Sequence, residues 1–378
     1  MGSSYFGCNK GLYEKARKMK VLEVIPLLSI DGGAESFVVY FCNELIRQGY
    51  DCAILLLYSV DDSVLSKLPL HSSMQLFSAK KKKGLDLACS YKVKSIIESY
   101  RPDIVHVHVG AIPYITLSAI CYRKCKYFAT IHSEAKREAG SSYAMWTRQL
   151  LFKQRYVEPV TISESSQQSF LDYYGIKPEM IYNGVPVFDD DEHARPAPTT
   201  IRFIHVARCH PIKNQELLLK SFNNIQKRYD NVELNWYGTA DEYPELFDSL
   251  KPYFNNRIHY MGSTANARVE MNKSDAFCLS SKMEGMPMTI IEAMSVGCIP
   301  ICTPVGGCVN MIEDGVNGFL SDDLSVESYT NAFARFIEKN NDEKAEIKRK
   351  SIETFNAKFS IEKTVKDYIA LFLKRLES

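Results

Sequence analysis

Residues 280–307, SSKMEGMPMTIIEAMSVGCIPICTPVGG, decide how the rest of the chain is read. The apolar run just before them, residues 276–279, reads as a buried strand that stops at the polar pair Ser280-Ser281. Pro287 opens a helix that Gly297 closes. That asymmetry is expected, because proline needs no donor in a first turn and glycine tolerates positive φ just past the last. Residues 298–302 make a second apolar strand, and Gly306-Gly307 follows it. Strand, helix and strand in this order form a βαβ unit, and such units bind ligands at the carboxyl ends of their strands. The Glu284 turn and the Gly306 turn both lie at such ends. Glu292 is the one charged side chain between Gly285 and Ile312. On a mostly apolar helix it is either on a solvent stripe or partly buried, and a buried carboxylate needs donors.

A length of 378 residues leaves room for two domains or one large one. Hydrophobic content of 46% and charged content of 24% are those of an ordinary globular chain. The net charge of +1 carries no nucleic-acid signature, but it hides an asymmetry. Residues 1–183 hold 23 Lys+Arg against 17 Asp+Glu, and the remainder 23 against 28. The basic first half, densest at Lys80 to Lys83, suits an anionic partner such as a phospholipid surface or a phosphate-bearing acceptor. A solvated loop is the plain alternative for the lysine run. Eleven scattered cysteines without a C-x-x-C read as buried free thiols in a reducing compartment, not as a disulfide frame or zinc site. With no run near 18 apolar residues and a polar first twenty, the expected location is cytoplasmic. Contact with the inner face of a membrane would be peripheral, and residues 1–19 would form a partly flexible arm.

In the first half, residues 20–28 read as a buried strand running into Gly32-Gly33 and a helix over 34–48. A glycine turn at a helix N-terminus lets backbone N–H groups approach an anion, although tight βα turns also use glycine for conformation alone. Residues 51–60, 103–109, 127–131, 157–162 and 180–182 read as further strands, with helices over 85–100 and from 164. In the 103–109 strand, DIVHVHV, alternation puts His106 and His108 on one face, with His108 nearer the carboxyl end. His132 ends the next strand. Each histidine is either a satisfied core residue or part of a polar cleft.

Asn183-Gly184-Val185-Pro186 is a turn, and residues 189–200 are the linker candidate. A second alternating series follows, with strands over 201–206, 232–237, 257–261 and 276–279. The loop at 208–214, RCHPIKN, carries Arg208 and Lys213, two cations able to clamp a diphosphate or simply to face solvent. Residues 314–318, DGVNG, make a hairpin-like turn into Phe319-Leu320, and the chain is helical from Ser325 onward. The last helix, 362–376, would bury Val365, Tyr368, Ile369, Phe372 and Leu376.

These residues resemble the retaining glycosyltransferases of family 4. The strongest marker is the E-x(7)-E pair Glu284 and Glu292, followed by D-G-x-N-G at 314–318. Weaker matches are Gly32-Gly33-Ala34-Glu35, D-x-x-H-x-H at 103–108, N-G-V at 183–185 and R-x(4)-K-N at 208–214. The resemblance covers nearly the whole chain after about Lys20. It implies an α/β, GT-B fold of two doubly wound Rossmann-like domains facing across a cleft: 1–189 on the acceptor side, 190–355 on the donor side. The helix of 356–378 would return to the N-terminal domain.

By the same resemblance, Arg208 and Lys213 hold the diphosphate of a UDP- or GDP-linked sugar, Glu292 the ribose and Glu284 the transferred sugar. Backbone around Gly285, Met286, Pro287 and Met288 adds donors. Gly32 and Gly33 close over the donor, and His108 faces the anomeric centre or the acceptor. The catalytic set is thus Glu284, His108, Arg208 and Lys213. No metal or other cofactor is expected, and Asp189-Asp190-Asp191 reads as solvated turn. Two departures stand out: Ala207 where a glycine commonly precedes the arginine, and Asn310 where a glutamate is frequent. The expected function is retaining transfer of a hexosyl group to a hydroxyl acceptor, a lipid-linked or cell-surface glycan intermediate. The alternatives are a sugar-nucleotide epimerase or phosphorylase on the same fold, or a non-catalytic sugar-nucleotide-binding partner. The last would show a degraded E-x(7)-E or lack the basic pair, and neither is so.

Overall fold

The structure, a computed structural model, describes residues 19–29, 32–188, 200–264 and 266–378. Most of the expected N-terminal arm, nearly all of the linker with its aspartate triplet, and Ile30-Asp31 before the first glycine pair lie outside the described residues. The chain divides into two units, one of residues up to Gly184 together with Ile361–Ser378, the other Val185–Ser360.

Unit 1 is built on β1 (Lys20–Ile25), β2 (Asp51–Leu56), β3 (Gln75–Ser78), β4 (Ile104–His108), β5 (Lys126–Ile131), β6 (Glu158–Thr161) and β7 (Glu179–Met180). Their order across the sheet is β3-β2-β1-β4-β5-β6-β7, and every pairing is parallel. Parallel strands covered on both faces read as unbroken apolar runs, and β1 and β2 are buried from their second residue onward. The longer helices here are α1 (Gly33–Arg47), α2 (Leu87–Tyr100), α3 (Ser142–Lys153) and α4 (Glu164–Tyr174).

Unit 2 repeats the plan with β8 (Ile201–Val206), β9 (Val232–Tyr237), β10 (Ile258–Gly262), β11 (Ala276–Leu279), β12 (Ile299–Cys302) and β13 (Phe319–Leu320). Its order is β10-β9-β8-β11-β12-β13. Helices α5 (Gln215–Ile225), α6 (Met288–Ser295), α7 (Val326–Ile337) and α8 (Asn341–Thr354) complete it. The DGVNG turn is not a hairpin. It feeds β13, which pairs in parallel with β12, and Asp314 is held by Arg335 at 2.6 Å.

The last helix, α9 (Ile361–Leu376), packs on α1 in unit 1. It buries Val365, Tyr368, Ile369 and Phe372, while Leu376, in its final turn, is exposed. The Phe372 ring lies 4.7 Å from that of Phe128 on β5. Replacing it by alanine removes a fully buried ring, at a cost of about 3–5 kcal/mol. Phe372→Ala should therefore lower the melting midpoint of unit 1 by roughly 10 °C. In a Trp146→Phe background, fluorescence of the buried Trp236 should report a nearly unchanged transition for unit 2. Equal loss in both transitions contradicts the assignment of α9 to unit 1.

Candidate active site

In each sheet the strand order reverses direction beside the first strand, and the loops leaving the two central strands there form a crevice at their carboxyl ends. In unit 2 those strands are β8 and β11, which are neighbours. The loop after β8 carries Arg208 and Lys213, and the loop after β11 carries Ser280, Ser281 and Glu284. Sequence positions about seventy residues apart are thereby brought together. Ser280 Oγ donates to Lys213 O at 2.9 Å, and Lys282 N–H donates to Ile212 O at 2.8 Å. Asn214, at a φ of 52°, makes the left-handed turn that lets α5 start at Gln215.

Lys213 Nζ lies 2.7 Å from Glu284 Oε1, and Ser281 Oγ donates to the same oxygen at 2.5 Å. The lysine side chain is 26% exposed and the glutamate 10%, so the pair is well shielded yet open to solvent on one side. Arg208 differs. It stands at the rim, about half exposed, in an ion pair with Glu242 at 3.0 Å. Exposed pairs of that kind contribute little to stability, so the guanidinium is free in energetic terms to exchange partners.

The Gly306-Gly307 pair has a steric reason. A Cβ on Gly306, at a φ of +50°, would lie 1.7 Å from Glu284 O. A Cβ on Gly307 would lie 2.2 Å from Gly285 O, the carbonyl to which Gly307 N–H donates at 2.9 Å. The two glycines let the loop after β12 lie directly on the Glu284 loop and fix it. Just beyond, Met286, Pro287 and Met288 are buried, and α6 begins at Met288 with no side-chain cap. Ile290 N–H already donates to Pro287 O at 3.1 Å, so the N–H groups of Met288 and Thr289 are the ones left for another acceptor among the described residues. Glu292 is half-buried on α6, and burial pushes its carboxyl up to about 7 against the opposing pull of Arg268. Arg268 donates to Pro186 O at 2.7 Å and stacks on Phe188.

Unit 1 does not place its residues as expected. His108 is fully buried, with Nε2 2.5 Å from Glu23 Oε2 and Nδ1 2.9 Å from His132 Nε2. Both ring nitrogens are in use and no face is left to meet a sugar, because α1 and α9 cover this side of the sheet through Phe37, Phe41 and Tyr368. His106 is equally buried, between Glu23 at 3.0 Å and Thr130 at 2.7 Å. Burial depresses His106, His108 and His132 to about 3 and raises Glu23. Gly32 has an ordinary φ of −97°, and a Cβ there would meet the Glu35 carboxyl at 2.0 Å. The N-terminus of α1 therefore already has a carboxylate beside it.

Sequence reasoning missed Glu23, Ser281 and Arg268. Glu23 did leave a signal, as the one charge inside the buried run of β1. Ser281 and Arg268 left none, since only the folded chain brings them to Glu284 and Glu292. Among the described residues, Glu23, His106 and His108 form the one group of three donors whose ligand atoms all lie within 4.8 Å of one another. The ten described cysteines are free, and nine of them are buried.

Residues 31–187 match the family model described as Glycosyltransferase Family 4, and residues 188–354 match that of the Glycosyl transferases group 1. The chain belongs to the family 4 glycosyltransferases. An uncharacterized glycosyltransferase of Haemophilus influenzae is 23% identical over 319 residues, covering 78% of this chain and 84% of the relative. Among solved structures, a glycosyltransferase from Rickettsia africae aligns with a TM-score of 0.79 at 19% identity, over 96% of this chain and 99% of that one. HepE from Anabaena, in complex with UDP and glucose, aligns with a TM-score of 0.75 at 20% identity, over 94% and 99%. At such identities these two carry the fold, which is GT-B. This glycosyltransferase has, among its described residues, no helix long and apolar enough to cross a membrane.

The raised Glu292 gives unit 2 a pH dependence with a definite sign. The folded state binds this proton more tightly than the unfolded chain, whose carboxyl titrates near 4.5. Its contribution is therefore complete below about 4.5 and is lost as pH rises through about 7. Glu292→Gln should raise the midpoint of unit 2 by a few °C at pH 8, on the order of 1–2 kcal/mol, and leave it unchanged at pH 5. An equal effect at both pH values, or none at pH 8, contradicts this burial of the carboxylate.

Proposed function

We propose that this glycosyltransferase is a retaining hexosyltransferase that uses a UDP- or GDP-linked sugar and glycosylates a hydroxyl of a lipid-linked or cell-surface glycan intermediate. The observation that carries the reading is the Lys213–Glu284 pair at the β8/β11 crevice, beside the uncapped start of α6. A cation, a carboxylate and unpaired N–H groups are what a nucleotide diphosphate and a sugar together require. Lys213, joined by Arg208 swinging from Glu242, receives the diphosphate. Glu284 then exchanges its lysine for sugar hydroxyls, held in place by Ser281. Glu292 accepts from the ribose, and the half-buried carboxyl meets donors only when the nucleotide arrives.

In the reaction, the bond from the anomeric carbon to the diphosphate oxygen breaks and the electron pair leaves with the diphosphate. An oxocarbenium-like sugar forms, and the acceptor hydroxyl adds from the face the diphosphate vacates, which retains configuration. Charge grows on the leaving oxygen, so a cation and N–H groups already in position stabilise the transition state more than the ground state. On this reading neither a metal nor an enzymic nucleophile takes part.

UDP in the HepE structure supports a uridine donor by likeness of fold. The basic first half supports contact with an anionic membrane from the cytoplasmic side. Within its lysine run Lys80, Lys82 and Lys83 are exposed, whereas Lys81 is turned onto Tyr58 and the Gly84 carbonyl.

A thermal-shift panel of UDP-, GDP- and ADP-sugars should raise the midpoint with one base only, since a ligand bound by the folded state alone stabilises it. Lys213→Ala and Glu284→Ala, both folded, should abolish that shift or weaken it at least tenfold in ligand concentration, and transfer should fall by on the order of 100-fold. Unchanged shift and transfer in both variants would falsify the donor site. Equal sedimentation with neutral and anionic vesicles removes the membrane part of the proposal.

A further inference from the structure

The amino edge of the unit 1 sheet holds a cavity of about 170 Å³. Its cations come from four separate stretches: Arg123 before β5, Lys126 at the first residue of β5, Arg155 after α3, and Arg375 in the last turn of α9. Glu158, the first residue of β6, is the one carboxylate side chain among the described residues that line it. All of these residues belong to unit 1. Register explains how β5 and β6 meet α9 there. Glu158 pairs with Phe128, and Lys126 lies two residues before Phe128, so all three side chains leave the face of the sheet that Phe372 covers.

The charges are poorly matched within the protein. Arg375 donates to Glu158 at 3.3 Å, a long single contact with both partners about one-third exposed. Arg123 lies over the Tyr156 ring at 5.0 Å, which orients the guanidinium without neutralising it. Lys126 and Arg155 have no hydrogen-bond or ion-pair partner among the described residues. Basic side chains are ordinary where helices end, because the last carbonyls carry partial negative charge. The short helix Thr116–Cys121, α3 and α9 all end at this edge. Three helix ends, worth about half a charge each, and one carboxylate do not balance four cations. An excess of positive potential is left in a recess, where field lines concentrate.

The Arg155 backbone is fixed by the end of α3. Its N–H donates to Phe152 O at 3.1 Å and that of Tyr156 to Leu151 O at 2.9 Å, the pattern that closes a helix on a left-handed residue. Its φ is +54°, where glycine is the usual occupant, as at Gly175 after α4. Arg101 ends α2 in the same conformation, so the backbone alone marks no site. What sets Arg155 apart is a side chain that lines the cavity.

We propose that this cavity binds one compact phosphate group, as a free phosphate or diphosphate ion, at a second anion site separate from the donor crevice of unit 2. Three guanidinium forks suit phosphate oxygens through paired N–H groups, and the lysine adds a point charge. The volume lies below the roughly 300–1,000 Å³ of sites that enclose a whole organic ligand, so a nucleotide-sugar does not fit. The anion clamps the last turn of α9 to β5 and to the end of α3. It does so about 20 Å, the length of β5, from the carboxyl edge of the sheet.

Titration calorimetry of the full chain with inorganic diphosphate tests this. Arg155→Gly removes one cation and gives the turn its usual residue, so the variant should fold with a midpoint no lower than the parent's. Arg155→Gly and Lys126→Gln should each weaken diphosphate binding by about tenfold or more, the loss of one charged contact. In a Trp146→Phe, Lys213→Ala chain, diphosphate should raise the unit 1 midpoint and leave the transition reported by Trp236 unchanged. Binding lost only in Lys213→Ala puts the anion in the donor crevice and overturns the proposal. Equal binding by all variants overturns it too, as does no binding by the parent chain, the result expected if Ser378, which also lines the recess, fills it. Anionic vesicles that bind the parent but not Arg155→Gly, and that diphosphate does not displace, make the ligand a lipid headgroup and equally overturn it. No arm uses a nucleotide-sugar or measures transfer, so the result stands apart from the function proposed above.

Discussion

A lysine ammonium and a glutamate carboxylate 2.7 Å apart hold together two loops that the parallel sheet of unit 2 delivers side by side. The pair is shielded enough that misplacing either partner would leave a partly buried charge uncompensated, which is expensive. The surroundings are built to prevent that. Ser281 donates to the carboxylate, and Thr303 Oγ1 holds the Ser281 carbonyl at 2.7 Å. Two glycines allow the loop after β12 to lie on the backbone of Glu284 without a Cβ in the way. Several weak local constraints thus converge on one oxygen atom. A site of this kind is rigid before its ligand arrives, which is the condition for electrostatic stabilisation to favour the transition state.

Unit 1 uses the same topology for a different end. Its reversal point lies between β1 and β4, as that of unit 2 lies between β8 and β11. In unit 2 the Lys213–Glu284 pair sits in the loops and stays partly open to solvent. In unit 1 Glu23, His106 and His108 sit on the strands, under α1 and α9, and only His132 reaches the edge. Aromatic rings on both helices, Phe37 and Phe41 from one and Tyr368 and Phe372 from the other, enclose the histidines. The last helix of the chain is therefore part of the polar network through the Tyr368 hydroxyl, and not only an apolar cover.

Much of this was legible in the chain itself. Pro287 and Gly297 bracket a helix observed over Met288–Ser295, and the apolar runs on either side became adjacent parallel strands. The alternation of His106 and His108 correctly put both on one face. It could not say which face α9 would cover, because that depends on a helix more than 250 residues later. β3 escaped for a related reason: its four residues, QLFS, lie at the sheet edge and are largely exposed, so they lack the apolar run of the central strands. The DGVNG turn looked like a hairpin because glycine and asparagine mark tight reversals. Asp314 instead caps a return to a parallel strand, tied by Arg335 from α7, a long-range pairing that no local pattern encodes.

The most direct test of the donor site is a crystal structure of the full chain with the nucleotide-sugar selected by thermal shift. The account predicts the diphosphate within hydrogen-bond distance of Lys213 Nζ and the first N–H groups of α6, with the Glu292 carboxylate accepting from the ribose. A nucleotide bound elsewhere, with the Lys213–Glu284 pair undisturbed at 2.7 Å, would contradict it.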